Sequence, residues 1–182
     1  MNKILLFGSL VVLSGLGGCL TSSGTVYYTD EPFQYLAYAA SKGALPVMVT
    51  GAASIEQRTK VEASAIKALK SQYPTLADAF QPAAAVPGQS NKVIVLVNAS
   101  GYANATAVCL DPTQIPATSN PNVNSAGLVY CGVGPYSEAW IKLDASGNAD
   151  MAEFDHDIAM LVHDGVPRFP FRDRDSQDGQ VP

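Results

Sequence analysis

The spacing of hydrophobic residues predicts a series of helices and strands along the chain. Residues 45–50 and 92–98 are continuous apolar runs rich in β-branched side chains, which are typical of strands covered on both faces. Residues 128–131 predict a third strand. Residues 138–144 alternate and predict a fourth strand near an edge, with Ala139, Ile141 and Leu143 on one face and Trp140 and Lys142 on the other. Amphipathic runs predict helices over 33–40, 54–72 and 150–165.

Local signals at the element ends support this division. Ser54-Ile55-Glu56-Gln57 and Asp150-Met151-Ala152-Glu153 match the capping box that begins a helix. Residues 76–80 predict a short helical turn, whereas 81–91 and 111–127 predict loops. The order is helix, strand, helix, strand, long loop, strand, strand, helix. It predicts an α/β or α+β two-layer sandwich of about three main helices on a roughly four-stranded mixed sheet, with one disulfide.

The amino-terminal segment has the layout of a secretory signal. Lys3 precedes an apolar stretch over 4–16, which is 13 residues against the roughly 20 that a transmembrane helix needs. Leu16-Gly17-Gly18-Cys19 resembles the lipobox of bacterial lipoproteins. The resemblance implies cleavage before Cys19 and acylation of its thiol; the alternative is conventional cleavage beside an ordinary cysteine. Leu20, in place of the aspartate of a retention signal, implies sorting to an outer membrane, facing the periplasm.

These signals predict four segments. Residues 1–18 are the signal peptide, 19–26 the lipidated cysteine with a short tether, 27–171 a single globular domain, and 172–182 a disordered charged tail. The apolar run ending at Gly51, the strand ending at Asn98, the two spaced cysteines and the final amphipathic helix are together similar to uncharacterised small envelope proteins of proteobacteria. That resemblance implies a location and no activity.

Charge limits the classes of binding partner, and the number of cysteines limits how they pair. The formal net charge is −5, and residues from Glu138 onward hold ten acids and four bases, whereas 19–137 hold six of each. This charge disfavours nucleic acid and anionic lipid headgroups as partners of the carboxyl-terminal quarter. In an exported chain Cys109 and Cys131 predict a disulfide that closes the long loop. Their spacing lacks the C-x-x-C pattern of a redox or metal pair.

The final helix holds the clearest candidates for metal chemistry, because Glu-x-x-His occurs in carboxylate-rich metal sites. Helical phase predicts that these polar residues face solvent, opposite a buried stripe of Met151, Phe154, Ile158 and Leu161. The polar residues are Glu153, His156, Asp157, His163 and Asp164. His156 and His163 are about 10.5 Å apart along the axis, too far to share one ion. Glu153, His156 and Asp157 remain weak metal candidates.

Other motifs are incomplete. Asp144, Ser146, Asn148, Asp150 and Asp155 occupy calcium-loop offsets, but Ala149 stands where the loop requires glycine, which favours a simple strand-to-helix turn.

Residues 51–54 do not form the G-x-S-x-G elbow, and Ser54 is predicted to cap a helix. Residues 132–137 lack the third glycine of a dinucleotide loop. A cluster of tyrosines predicts either packing of the first helix, which is favoured, or an aromatic surface for glycan or protein contact. Its members are Tyr27, Tyr28, Tyr35 and Tyr38.

The sequence therefore predicts a lipid-anchored, non-catalytic binding or assembly module of the periplasm, without cofactor. Its partners are the bilayer, through acylated Cys19, and an envelope protein, through a sheet face or the loop at 111–127. The alternative is an envelope hydrolase or metal-binding enzyme that uses His156 or His163 with nearby carboxylates. A structural lipoprotein within a larger complex is the third possibility.

Overall fold

A computed structural model describes residues 22–29, 31–86, 88–99, 103–143 and 151–166. The predicted signal peptide, Cys19, the turn at 144–150 and the tail at 172–182 lie outside these residues. The strands are β1 (Ser22–Tyr27), β2 (Leu45–Thr50), β3 (Phe80–Pro82), β4 (Lys92–Val97), β5 (Ser125–Cys131) and β6 (Pro135–Lys142). The helices are α1 (Pro32–Lys42), α2 (Ile55–Gln72), α3 (Ala105–Leu110) and α4 (Met151–Gly165), and 3₁₀ turns cover Pro74–Ala79, Ala83–Ala85 and Pro112–Gln114.

The strands form one mixed sheet in the order β1-β6-β5-β4-β2-β3. β2 is parallel to both β3 and β4, while β4, β5, β6 and β1 pair antiparallel in turn. The predicted fold class is confirmed: three longer helices and one disulfide accompany a mixed sheet. Two short edge strands, β1 and β3, extend the four predicted strands to six.

The tether predicted over 19–26 is wrong for its carboxyl-terminal part. Residues 22–27 form β1, which pairs with β6 so that Thr25 lies opposite Ala139 and Tyr27 opposite Ser137. The strand could not be predicted from the sequence, because its small polar residues are typical of linkers. It is stabilised by hydrogen bonds to an existing strand rather than by apolar burial. The domain therefore begins within three residues of Cys19.

The larger part of the core lies between one face of the sheet and helices α1, α2 and α4. Its central side chains are fully buried: Leu36, Leu45, Val61, Leu69, Phe80, Val95, Leu128, Phe154, Ile158 and Leu161. Ser54 caps α2 as predicted, its Oγ accepting from the Gln57 amide at 3.0 Å, while Gln57 Oε1 reaches back one residue further and accepts from the Ala53 amide. Met151, predicted to be buried in the stripe of α4, is instead half exposed, because it occupies the first position of that helix.

The opposite face of the sheet is covered as well. α3 and the Cys109–Cys131 disulfide pack on Ile94, Leu96 and Trp140. The predicted alternation of this strand is confirmed, because Ala139 and Ile141 belong to the larger core and Trp140 lies on the opposite face. There α3, which the sequence did not predict, packs over the indole. A side chain at Gly127 would overlap that ring, so glycine is required beneath it.

Replacing both disulfide cysteines (Cys109→Ser with Cys131→Ser) is expected to lower the free energy of unfolding by about 3 kcal/mol. The reason is that the unfolded chain then regains the freedom of a loop whose ends are 22 residues apart. Urea denaturation with and without dithiothreitol measures the effect. The reductant should destabilise the wild-type protein and leave the double variant unchanged, and equal stability of the two proteins under oxidising conditions would contradict the prediction.

Candidate functional site

A cleft of about 590 Å³ lies between α1 and the β5–β6 hairpin, and we term it the tyrosine cleft. Its α1 wall includes residues at the start and on the exposed face of that helix, and its opposite wall is the hairpin turn with the segment before β4. The side chains that line it are Glu31, Gln34, Tyr35, Tyr38, Ser90, Asn91, Val133 and Tyr136. Aromatic rings and small polar groups thus face the same space.

An irregularity in the β5–β6 hairpin builds one wall of this cleft. Tyr130 pairs with Ser137 while Cys131 pairs with Pro135, which leaves Tyr136 as an extra residue in β6. Such bulges re-aim a side chain. Here the Tyr136 ring stacks on Tyr35 with centroids 4.6 Å apart and planes 17° from parallel. A side chain at Gly132 would overlap the Tyr136 ring, so the tight turn permits the stack.

The remaining groups of the cleft are exposed. Tyr38 follows Tyr35 by one helical turn and is 64% exposed, with Lys42 Nζ 5.2 Å from its ring centroid. Val133, at the hairpin tip, is almost completely exposed. An exposed apolar residue beside two exposed rings is the kind of surface that marks an interaction site.

The four amino-terminal tyrosines divide between the two predicted roles. Tyr27 packs the sheet edge, and its hydroxyl donates to the Asp164 carbonyl at 2.6 Å; burial, and secondarily the Asp164 charge, raises the pKa of Tyr27 to about 12. The Tyr28 hydroxyl donates to Glu138, and burial of that carboxyl raises its pKa. Tyr35 and Tyr38 belong to the tyrosine cleft. Tyr27 therefore packs within the domain, as the favoured prediction has it. Tyr35 and Tyr38 instead contribute exposed aromatic rings to the surface.

The structure separates the predicted metal candidates of α4. Glu153, His156 and His163 are exposed, but Asp157 is only 1% exposed, so its predicted position on the solvent face is wrong. The buried face of α4 is wider than a single stripe because the helix packs on both the sheet and α2, which brings Asp157 inside beside Phe154. In the described ranges, no three histidine, cysteine or acidic side chains converge as metal ligands.

Asp155, the last offset of the incomplete calcium loop, is engaged elsewhere. Its carboxylate accepts from Ser64 Oγ at 2.6 Å and pairs with Lys67 Nζ at 2.5 Å. These contacts hold the pKa of Asp155 below its usual range, the Lys67 hydrogen bond contributing most. The side chain therefore joins α4 to α2. The other four predicted ligands lie at 144–150, outside the described residues.

The carboxyl ends of parallel strands, where open α/β sheets usually bind ligands, are covered by the chain itself. Thr50 Oγ1 donates to the Pro112 carbonyl at 2.8 Å, and the Thr118 amide donates to the Gly51 carbonyl at 3.0 Å. Buried Gln57 accepts from the Ala53 amide and donates through Nε2 to the Pro121 carbonyl at 2.9 Å. The long loop, one of the two predicted binding surfaces, is thus packed against this edge.

No protein-family model matches the sequence, and the searches of curated proteins and of solved structures returned no significant match. Among the described helices, none combines the length and apolar character needed to cross a bilayer.

Replacing Gln57 by glutamate is expected to destabilise the protein by about 2 kcal/mol at neutral pH. The carboxylate can still accept from the Ala53 amide, but it cannot donate to the Pro121 carbonyl. Its negative charge would instead be repelled by that carbonyl oxygen. This environment raises the folded-state pKa of the new carboxyl, so the deficit should shrink on acidification, when the protonated acid can donate. Urea denaturation between pH 4 and 7 measures it. Glu56→Gln, at the exposed neighbouring position, is the control, and a pH-independent deficit would contradict the explanation.

Proposed function

We propose that this chain is an envelope lipoprotein, acylated at Cys19 in an outer membrane facing the periplasm, and that its domain is a non-catalytic module that binds another envelope component through the tyrosine cleft. The lipobox-like run before Cys19 supports the anchor. The binding role rests on one observation: exposed tyrosines share a preformed cleft with polar side chains that hydrogen-bond to no described residue. Such mixed clefts are the usual form of binding sites.

The position of the cleft along the chain suits this role. β1 begins at Ser22, three residues after Cys19, and its six residues span about 20 Å. At the far end of β1, the Tyr28 amide donates to the Tyr136 carbonyl at 3.0 Å, beside the stacked pair. An anchor at Cys19 would therefore hold the domain close to the bilayer, with the cleft at the opposite end of the strand. A periplasmic partner could reach the cleft there.

The geometry gives less support to the hydrolase or metal enzyme. The two histidines of the chain, His156 and His163, are exposed on α4, and neither lines the cleft. Within the described part of the chain, the close polar contact of these rings joins His163 Nδ1 to Asp164 Oδ1, its neighbour in sequence, at 3.2 Å. Ser54 serves as the cap of α2. A binding function needs none of these groups.

Cys19→Ala is expected to abolish acylation, because the thiol is the group that would take the lipid. Metabolic labelling with radioactive palmitate, followed by immunoprecipitation, measures it. The wild-type chain should be labelled and Cys19→Ala should not. The double variant Cys109→Ser with Cys131→Ser is the matched control and should be labelled like the wild type. Label that persists in Cys19→Ala would refute the lipid anchor.

A photo-crosslinking amino acid in place of Tyr38 is expected to capture an envelope component in intact cells, because that side chain points into the cleft and is well exposed. The same amino acid in place of Leu110 is the control. Leu110 is 79% exposed and belongs to α3, on the opposite face of the sheet. Adducts from position 38 but not from position 110 would support binding through the cleft. Equal adducts at both positions, or none at 38, would contradict it.

A further inference from the structure

We infer that the tyrosine cleft binds an uncharged glycan chain, with sugar-ring faces stacked on Tyr38 and on the Tyr35–Tyr136 pair. This inference rests on the proposed binding function and names the chemical class of its partner. Three properties of the cleft carry it: the arrangement of its rings, the polar side chains around them that bond to no described residue, and a described lining that has neither a cluster of cations nor an open strand edge.

The rings form an extended stacking surface. Tyr35 is held against Tyr136 with centroids 4.6 Å apart, which fixes its plane before any ligand arrives. Tyr38 lies three residues further along α1, so the two side chains are neighbours on one helix face, roughly 5–6 Å apart at Cβ. The apolar C–H face of a pyranose ring matches the face of an aromatic ring, and two neighbouring rings can take successive sugars of one chain.

The polar side chains around the rings are available to a ligand. Gln34, Ser90 and Asn91 make no side-chain hydrogen bond with any described residue, whereas the amide groups of Gln57, Gln72 and Asn98 are all used within the fold. Amides and hydroxyls both donate and accept, as sugar hydroxyls do. A bound glycan could therefore both donate hydrogen bonds to these side chains and accept hydrogen bonds from them.

Charge and backbone pairing disfavour the other ligand classes. Among the described residues that line the cleft, Glu31 is the one that carries a charge, and the single cation nearby, Lys42, lies at the rim 5.2 Å from the Tyr38 ring. This lining offers no cluster of cations to phosphate-bearing or other anionic ligands. A peptide added as a strand needs an open sheet edge. The cleft offers none, because β4, β5 and β6 are each paired on both sides. Uncharged sugar rings fit what remains.

The test uses the full chain, purified in detergent, and isothermal titration calorimetry with three tetrasaccharides: β-1,4-linked N-acetylglucosamine, cellotetraose and maltotetraose. Saturable binding of at least one is expected. Tyr38→Ala should weaken it at least tenfold, because one stacking ring is lost, and Tyr38→Phe should retain it within about threefold, because the ring face remains. Asn91→Ala should also weaken binding, through lost hydrogen bonds.

Tyr28→Ala is the matched control, since Tyr28 is a half-exposed tyrosine that does not line the cleft, and it should bind like the wild type. Thermal unfolding of each variant separates lost binding from lost folding. The inference is overturned if none of the three sugars binds, or if Tyr38→Ala and Tyr28→Ala behave alike. If sugars fail to bind while position 38 still crosslinks a protein, the glycan is wrong and the binding module stands; if both fail, both are wrong.

Discussion

The two central strands of the sheet, β4 and β5, carry apolar side chains on both faces, and the domain is organised around covering them. Val95 and Leu128 face the helices, whereas Ile94 and Val129 face the other way, and all four are fully buried. At roughly 25 cal/mol per Å² of apolar surface, leaving either face in water would remove much of the stability of a domain this size. Three helices cover one face, and the second cover must come from the segment between β4 and β5.

That requirement determines what the long loop does. Between β4 and β5 the chain forms α3, bonds Cys109 to Cys131, and then lies along the carboxyl ends of β2 and β4, where Gln57 holds it. The loop thus works as part of the core's cover, and it occupies the edge at which related architectures place their ligands. The tyrosine cleft, between α1 and the β5–β6 hairpin, lies away from this edge and stays open to a ligand.

The elements held by strong local signals could be predicted from the sequence, and those held by tertiary contacts could not. The apolar runs gave β2 and β4, and the Ser54 capping box gave the start of α2. β1 was not predicted, because pairing with the edge of the sheet, and not its hydrophobicity, makes it a strand. The burial of Asp157 was not predicted, because α4 packs on both α2 and the sheet. Helical periodicity cannot show how many elements a helix contacts. Tyr35 was a candidate from its cluster, but its partner Tyr136 enters the cleft through a bulge, which depends on register.

A lipid anchor and a small stacking cleft are physically complementary. Two or three aromatic contacts with an uncharged chain give weak binding, because little charge attraction adds to them and ordering the ligand costs entropy. A domain held at the membrane, however, meets a neighbouring polymer at an effective concentration that short tethers raise to the millimolar range. β1 begins almost at the proposed anchor, so little flexible chain dilutes this effect. Under the proposed function, weak sites repeated along a polymer and shared by many anchored copies would together hold that polymer near the membrane, while each single contact exchanges rapidly.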